Sequence, residues 1–213
     1  MTVTRVINLV QRNESTTELD SHADQCVIGS NALIVNEFDR PVHIRGFDPS
    51  SKVSHNLCTV SAALLYTRTD IGEDVILMIH QAIYVPTMEH NLLCPMQLRI
   101  NDVNVNDKPL FLTDNLAELD HALLDPSEDD PSDKLLIPLS IRNVSSIFST
   151  QKPTMQQYEQ LPHFVLTSEL PEYDPLDPTF STQETSAQEH LQQLLSGFST
   201  LLRTVVRKNK LST

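Results

Sequence analysis

Over the first half of the chain, apolar residues gather in short runs broken by polar, turn-forming residues. Cys26-Val27-Ile28, Val42-His43-Ile44, Thr59–Tyr66, Val75–Ile79 and Ala82–Val85 are the main runs. Val42-His43-Ile44 alternates apolar and polar, as a strand with one buried face does, and Val75–Ile79 does so less strictly. Asp39-Arg40-Pro41, Asp48-Pro49-Ser50-Ser51 and Asp70-Ile71-Gly72-Glu73 supply turn signals between them. Many short strands separated by turns predict a mainly β domain over residues 15–112, built as a small barrel or sandwich. A further apolar run, Val6–Val10, precedes a polar break and reads as a strand or as the end of something upstream.

The pattern changes after residue 112. Eight of the 13 prolines fall in residues 113–185, with clusters such as Asp125-Pro126-Ser127-Glu128-Asp129-Asp130-Pro131. High acidity, frequent proline and few apolar runs predict a disordered or loosely attached acidic linker. Within it, Leu135–Leu139 is an apolar island suited to docking on a partner or on the domain.

From residue 186 to 210 the period becomes helical. Leu191, Leu194, Leu195, Phe198, Leu201, Leu202 and Val205 recur at three- and four-residue spacing, so they share one face of an amphipathic helix. Ser186 and Glu189 have the spacing of a capping box. The basic residues at the far end suit the negative pole of the helix dipole. Gly197 inside the helix costs about 1 kcal/mol relative to alanine. The polar face is mostly uncharged, which favours packing on the chain's own domain or on a second copy over lying on a membrane surface.

Charge refines this division. Of a net −13, residues 1–113 carry 8 basic and 13 acidic side chains, residues 114–189 carry 3 and 15, and residues 190–213 carry 4 and none. An acidic surface argues against nucleic-acid and anionic-membrane partners, because both bind through basic surfaces. No apolar run approaches the roughly 20 residues that span a bilayer. Three cysteines, Cys26, Cys58 and Cys94, make an odd count without an N-terminal signal peptide. A reducing, intracellular and most simply cytoplasmic setting is expected.

The chemistry concentrates at Glu18-Leu19-Asp20-Ser21-His22-Ala23-Asp24, where a short segment ends on a carboxylate. An apolar strand ending in Asp-Ser-x-Ala resembles the catalytic segment of retropepsin-type aspartic proteases, which read Asp-Thr-Gly-Ala or Asp-Ser-Gly-Ala. A second stretch, Gln81 to Leu98, carries Val85-Pro86, Asn91-Leu92-Leu93-Cys94 and Gln97-Leu98. It is similar to the segment of copia-type LTR retrotransposon polyproteins in which Val-Pro precedes Asn-Leu-Leu-Ser and Gln-Leu. The two motifs together cover residues 15–112, about half the chain.

The resemblance implies a retropepsin-like acid protease barrel. Asp20 matches the catalytic aspartate, and Ser21 the hydroxyl residue that braces the two active-site loops. His22, Ala23 and Asp24 line the substrate, with Asp24 matching the acidic residue that binds its main chain. Ile44, Arg45, Gly46 and Phe47 fall where the flap hairpin would cover the substrate, Gly46 serving a tight turn. Leu92-Leu93-Cys94 matches the motif that packs beneath the catalytic loop. Aspartic proteolysis needs two carboxylates sharing one proton. A single Asp-Ser-x-Ala therefore implies half a site, completed in a homodimer that acts on a peptide or polyprotein. No metal and no other cofactor are implied. His22 stands where the family has glycine, so the loop carries an imidazole in place of open space.

Other readings use the same residues. His22 with Cys26, His55 with Cys58 and His90 with Cys94 recur as near neighbours, and imidazoles and thiolates suit zinc. Their spacing is irregular and Cys-x-x-Cys is absent. Cys94 with His90 as a cysteine-protease pair lacks a flanking signature. A non-catalytic protein that uses a protease-like fold for dimerisation is the remaining alternative.

Overall fold

The computed structural model describes residues 15–44, 54–114, 117, 119–125 and 134–210. Val6–Val10, the Asp48–Ser51 turn, Arg45, Gly46 and Phe47 lie outside the described residues, as does most of the Asp125–Pro131 cluster. The chain divides into two units, Met1–Tyr173 and Asp174–Thr213. The fold is mainly β, with mixed sheets and a C-terminal helix.

In the first unit the order is β1 (Ser15–Leu19), β2 (Val27–Ile28), β3 (Leu33–Ile44), β4 (Ser54–Thr67), β5 (Asp74–Tyr84), β6 (Asn91–Leu93) and α1 (Pro95–Ile100). There follow β7 (Asn104–Asn106), a 3-10 turn at Leu110–Leu112, β8 (Ala122–Asp125), β9 (Leu135–Pro138), β10 (Ser140–Arg142), β11 (Ser145–Thr150), α2 (Met155–Gln160) and β12 (His163–Thr167). The large sheet has strand order β10-β11-β1-β6-β2-β5-β4-β3, with β12 also paired to β5. β7, β8 and β9 form a second, antiparallel sheet.

The long apolar runs are explained by burial on both faces. In β4, Ala62, Leu64 and Tyr66 join Val75, Leu77 and Ile79 of β5 in the main core. The alternate residues Ala63, Leu65, Ile76 and Met78 form a second cluster on the other face, covered by Leu33, Tyr158 and Leu161. Residues of opposite parity thus find separate apolar partners, and the run reads as continuous rather than alternating. Tyr66 meets Phe148 edge-on, ring centroids 6.0 Å apart.

Three sequence expectations change here. Asp39-Arg40-Pro41 is not a turn: β3 runs through it, and the register with β4 shifts between Phe38 and Pro41, a bulge that accommodates the proline. Val75–Ile79 and Ala82–Val85 are not separate strands, since β5 runs from the first through the second as far as Tyr84, with Gln81 at φ 54° where the pairing with β4 is irregular. Most importantly, residues 113–185 are not simply a linker. They supply β8 to β12, and the first unit closes at Tyr173 rather than at residue 112. The island Leu135–Leu139 docks within the chain: Leu135, Ile137 and Leu139 are 0%, 1% and 6% exposed. α2 starts at a capping box in which Thr154 accepts the Gln157 N–H and the Gln157 side chain accepts the Thr154 N–H.

The second unit holds α3 (Thr179–Lys210), which begins seven residues before the expected start. Ser186 lies inside it, its hydroxyl donating to the Thr182 carbonyl, so Ser186 is not the cap. Asp177 precedes the helix instead and accepts the Thr179 N–H at 2.8 Å. That bond holds the Asp177 carboxyl below the usual carboxylate range. No helix among the described residues is long and apolar enough to cross a membrane.

Candidate active site

Asp20 is placed by two strands from distant parts of the sequence. β1 lies parallel to β6, with Leu19 opposite Leu93, and the Asp20 N–H donates to the Leu93 carbonyl at 3.0 Å. The chain then turns and returns as β2 on the other side of β6, Val27 opposite Leu92. β6 therefore threads between the two strands that flank the Asp20 loop. The Asp-Ser-x-Ala motif and the Asn91-Leu92-Leu93-Cys94 motif, some seventy residues apart, meet in one structure.

The loop is a tight turn closed by its own carboxylate. Ala23 N–H donates to the Asp20 carbonyl at 3.2 Å, and His22 N–H donates to Asp20 Oδ1 at 2.9 Å. A side-chain acceptor two residues upstream is how aspartate stabilises such turns. Because this bond comes from the backbone N–H, it is open to any residue at position 22 except proline. The imidazole leaves the loop: His22 is 90% exposed, with Nδ1 3.7 Å from Asp20 Oδ1. At that exposure water screens the pair and it adds little. Asp20 itself is 31% exposed. Ser21 is exposed, Ala23 packs against the core, and Asp24 is exposed at the end of the turn.

Buried polar side chains fix this scaffold. Asn91, fully buried, accepts the Gly29 N–H through Oδ1 at 3.0 Å and donates through Nδ2 to Thr17 Oγ1 at 3.2 Å. Thr17 Oγ1 pairs with Thr150 Oγ1 at 2.8 Å, tying β1 to β11. Gln97 on α1 accepts the Cys26 N–H at 2.9 Å, and the Cys94 N–H donates to Cys26 Sγ at 3.2 Å. Gly29 has no room for a side chain: a Cβ there would lie 2.5 Å from the carbonyl oxygens of Met88 and His90.

A C-terminal strap braces the loop from outside. Tyr173 donates its hydroxyl to the Asp24 carbonyl at 2.8 Å. Burial pushes the Tyr173 phenol well above its ordinary range, so it stays a donor. Gln81 holds the strap: Nε2 donates to the carbonyls of Ser168, Glu169 and Pro171, and Oε1 accepts the Tyr173 N–H. The strap and the base of the β3–β4 hairpin enclose a cleft of about 360 Å³, crossed by an Arg40–Glu172 ion pair at 2.8 Å.

Of the residues singled out in the sequence, Asp20, Ser21, His22, Ala23 and Asp24 fall in this one turn. Ile44 ends β3 opposite Ser54, at the point where the hairpin leaves the described residues. Cys26 and Cys94 come together as buried free thiols, and burial raises the Cys26 thiol far above its ordinary range. A neutral thiol is a poor nucleophile and a poor ligand. Among the described residues no group of three or more His, Cys, Asp or Glu side chains is gathered closely enough to hold a metal ion. The sequence marked Asn91 and Gln97 only as members of the Asn-Leu-Leu and Gln-Leu motif and Gln81 only as the start of that stretch, without a bracing role for any of them, and Tyr173 carried no signal.

Compared with known families and proteins, the chain matches no family model, no curated protein and no solved structure.

Proposed function

We propose that this chain is an aspartic endopeptidase subunit of the retrotransposon type, active as a homodimer with one Asp20 from each copy. The observation that carries the reading is the meeting of the two motifs. Asp20 hangs from β1 on the Leu93 carbonyl, its carboxylate oriented by the His22 N–H. That gives a partly exposed carboxylate, in a fixed turn, on a rigid sheet.

The chemistry follows from pairing two such groups. Two carboxylates a few ångströms apart cannot both ionise, so they share one proton. The ionised member takes a proton from a water held between them, and the water oxygen attacks the peptide carbonyl. The protonated member hydrogen-bonds the developing oxyanion. Collapse breaks the C–N bond as the amine takes a proton from the pair, releasing a carboxylic acid and an amine. A substrate lying as an extended strand beneath the β3–β4 hairpin would meet the site by strand addition. Its class is a polyprotein or a peptide cut from one.

The competing reading, a dimerising protein without catalysis, rests on His22 in place of glycine. The exposure of the imidazole favours the enzyme, because it leaves the turn open. Hydrolysis of an extended peptide near acidic pH, with wild type beside Asp20→Asn and His22→Gly, tests this. The proposal expects pepstatin-sensitive cleavage that Asp20→Asn reduces by about 10²–10⁴-fold or more. Activity found only in His22→Gly would make the natural chain a protease that has lost its chemistry.

A further inference from the structure

The long helix carries an apolar face with a symmetry that points to its occupant. Leu191, Leu194 and Leu195 are 56%, 54% and 61% exposed, on a helix whose described side chains between 181 and 195 are all exposed. In sequence the stripe continues through Phe198, Leu201, Leu202 and Val205. About position 198 it is a palindrome. Residue 191 mirrors 205, both aliphatic; 194 mirrors 202 and 195 mirrors 201, all leucine; 198 mirrors itself.

Charge follows the same mirror. Residues 179–189 carry Glu184 and Glu189 and no basic residue, whereas residues 190–213 carry Arg203, Arg207, Lys208 and Lys210 and no acidic one. Glu189 mirrors Arg207. Parallel pairing would bring four cations of one copy against four of the other. Antiparallel pairing registers each acidic half against a basic half, the arrangement that lowers the energy of both.

We propose that α3 pairs antiparallel with α3 of a second copy, about a two-fold axis at position 198. The pairing is isologous: the same stripe serves both subunits. Positions 191 to 205 span about 21 Å at 1.5 Å per residue, some four turns of continuous contact. The palindrome and the charges stand without the peptidase reading. One part rests on that reading, namely the use of the pairing, which is to bring two single-aspartate subunits into one molecule.

Sedimentation equilibrium of the full chain at low salt provides the test. The wild type is expected to dimerise reversibly in the micromolar range. Leu194→Glu, which sets a charge against position 202, weakens the dimer at least tenfold while far-UV circular dichroism keeps its helical signal. Glu189→Arg and Arg207→Glu each weaken it by about three- to tenfold, since every dimer holds two such pairs. Combining the two reversals restores an affinity close to wild type. A wild type that stays monomeric to about 100 µM, or a dimer indifferent to Leu194→Glu, overturns the proposal. A combined variant weaker than either single reversal overturns the antiparallel register. Wild type that dimerises through α3 yet cleaves no peptide would refute the peptidase and leave the pairing intact. Cleavage by a chain that does not pair through α3 would do the reverse.

Discussion

Replacing Asn91 by alanine tests whether buried polar side chains, rather than apolar packing alone, hold the Asp20 scaffold. Asn91 is fully buried and links three strands: it accepts from Gly29 at the end of β2 and donates to Thr17 on β1 from its own place on β6. Alanine leaves the buried Gly29 N–H without an acceptor, which costs about 1–3 kcal/mol. The lost bond to Thr17 adds about 0.5–1.5 kcal/mol, limited because the Thr17 hydroxyl keeps Thr150 at 2.8 Å. The sum is about 1.5–4.5 kcal/mol. With a urea dependence near 2 kcal/mol per molar, the unfolding midpoint falls by about 0.8–2.2 M. The chain has no tryptophan and four tyrosines, so tyrosine fluorescence and far-UV circular dichroism are the probes. Thr17→Val in the same background measures the coupling, expected at about 0.5–1.5 kcal/mol. A midpoint within about 0.3 M of wild type would refute the reasoning, since it would mean the three strands do not depend on this network.

Other expectations follow from the same geometry. Gly29→Ala forces a Cβ against two backbone carbonyls and should destabilise by about 1–3 kcal/mol in the same assay; unchanged stability would contradict the close approach of residues 88–90 to Gly29. Gln81→Glu removes the donor that three strap carbonyls share and sets a carboxylate among them, so limited proteolysis should begin to cut within residues 168–173; a strap as resistant as wild type would count against it. Burial lowers the pKa of both His80 and His121, so the unfolded chain binds their protons first. The stability each neutral imidazole contributes is complete above about pH 6.5 and is lost as pH falls from there toward the folded-state values. His80→Gln and His121→Gln should therefore each flatten the decline between pH 7 and 5, and a wild type that gains stability over that range relative to both variants would contradict the sign.

How much of this was legible in the sequence depended on the length and purity of each apolar run. Thr59–Tyr66 and Val75–Ile79 are the purest apolar runs, and they became β4 and β5, two of the longest strands. The helix was visible from its period, but its start was not. Asp177 caps it from a proline-rich stretch, whereas Ser186 has cap-like spacing and lies in the interior. The strands between 122 and 167 were hidden by their composition. Acid and proline lie around segments of three to six residues, too short to outweigh the signal of a linker. Their burial depends on partners far away, as in Leu135, Ile137 and Leu139, which enter the core built by the first half of the chain.

The turn at Asp20 was legible because its chemistry is local: Asp20, Ser21 and Ala23 lie within four residues. Its support was not, because Thr17, Asn91 and Thr150 are spread over more than 130 residues, and a buried threonine pair leaves no pattern. His22 shows the limit most clearly. By residue type it looked like an obstruction in the loop. The structure turns its imidazole to solvent and uses only its N–H, a distinction that depends on backbone geometry.

The central claim is that Asp20 supplies half of a two-carboxylate site. Peptide hydrolysis measured for wild type, for Asp20→Asn and for wild type mixed with excess Asp20→Asn tests it directly. The account predicts cleavage by wild type, a rate lower by about 10²–10⁴-fold or more for Asp20→Asn, and a wild-type rate that falls as the variant draws active subunits into mixed dimers. Cleavage by Asp20→Asn alone at a rate near that of wild type, or a wild-type rate unmoved by a large excess of the variant, would contradict it.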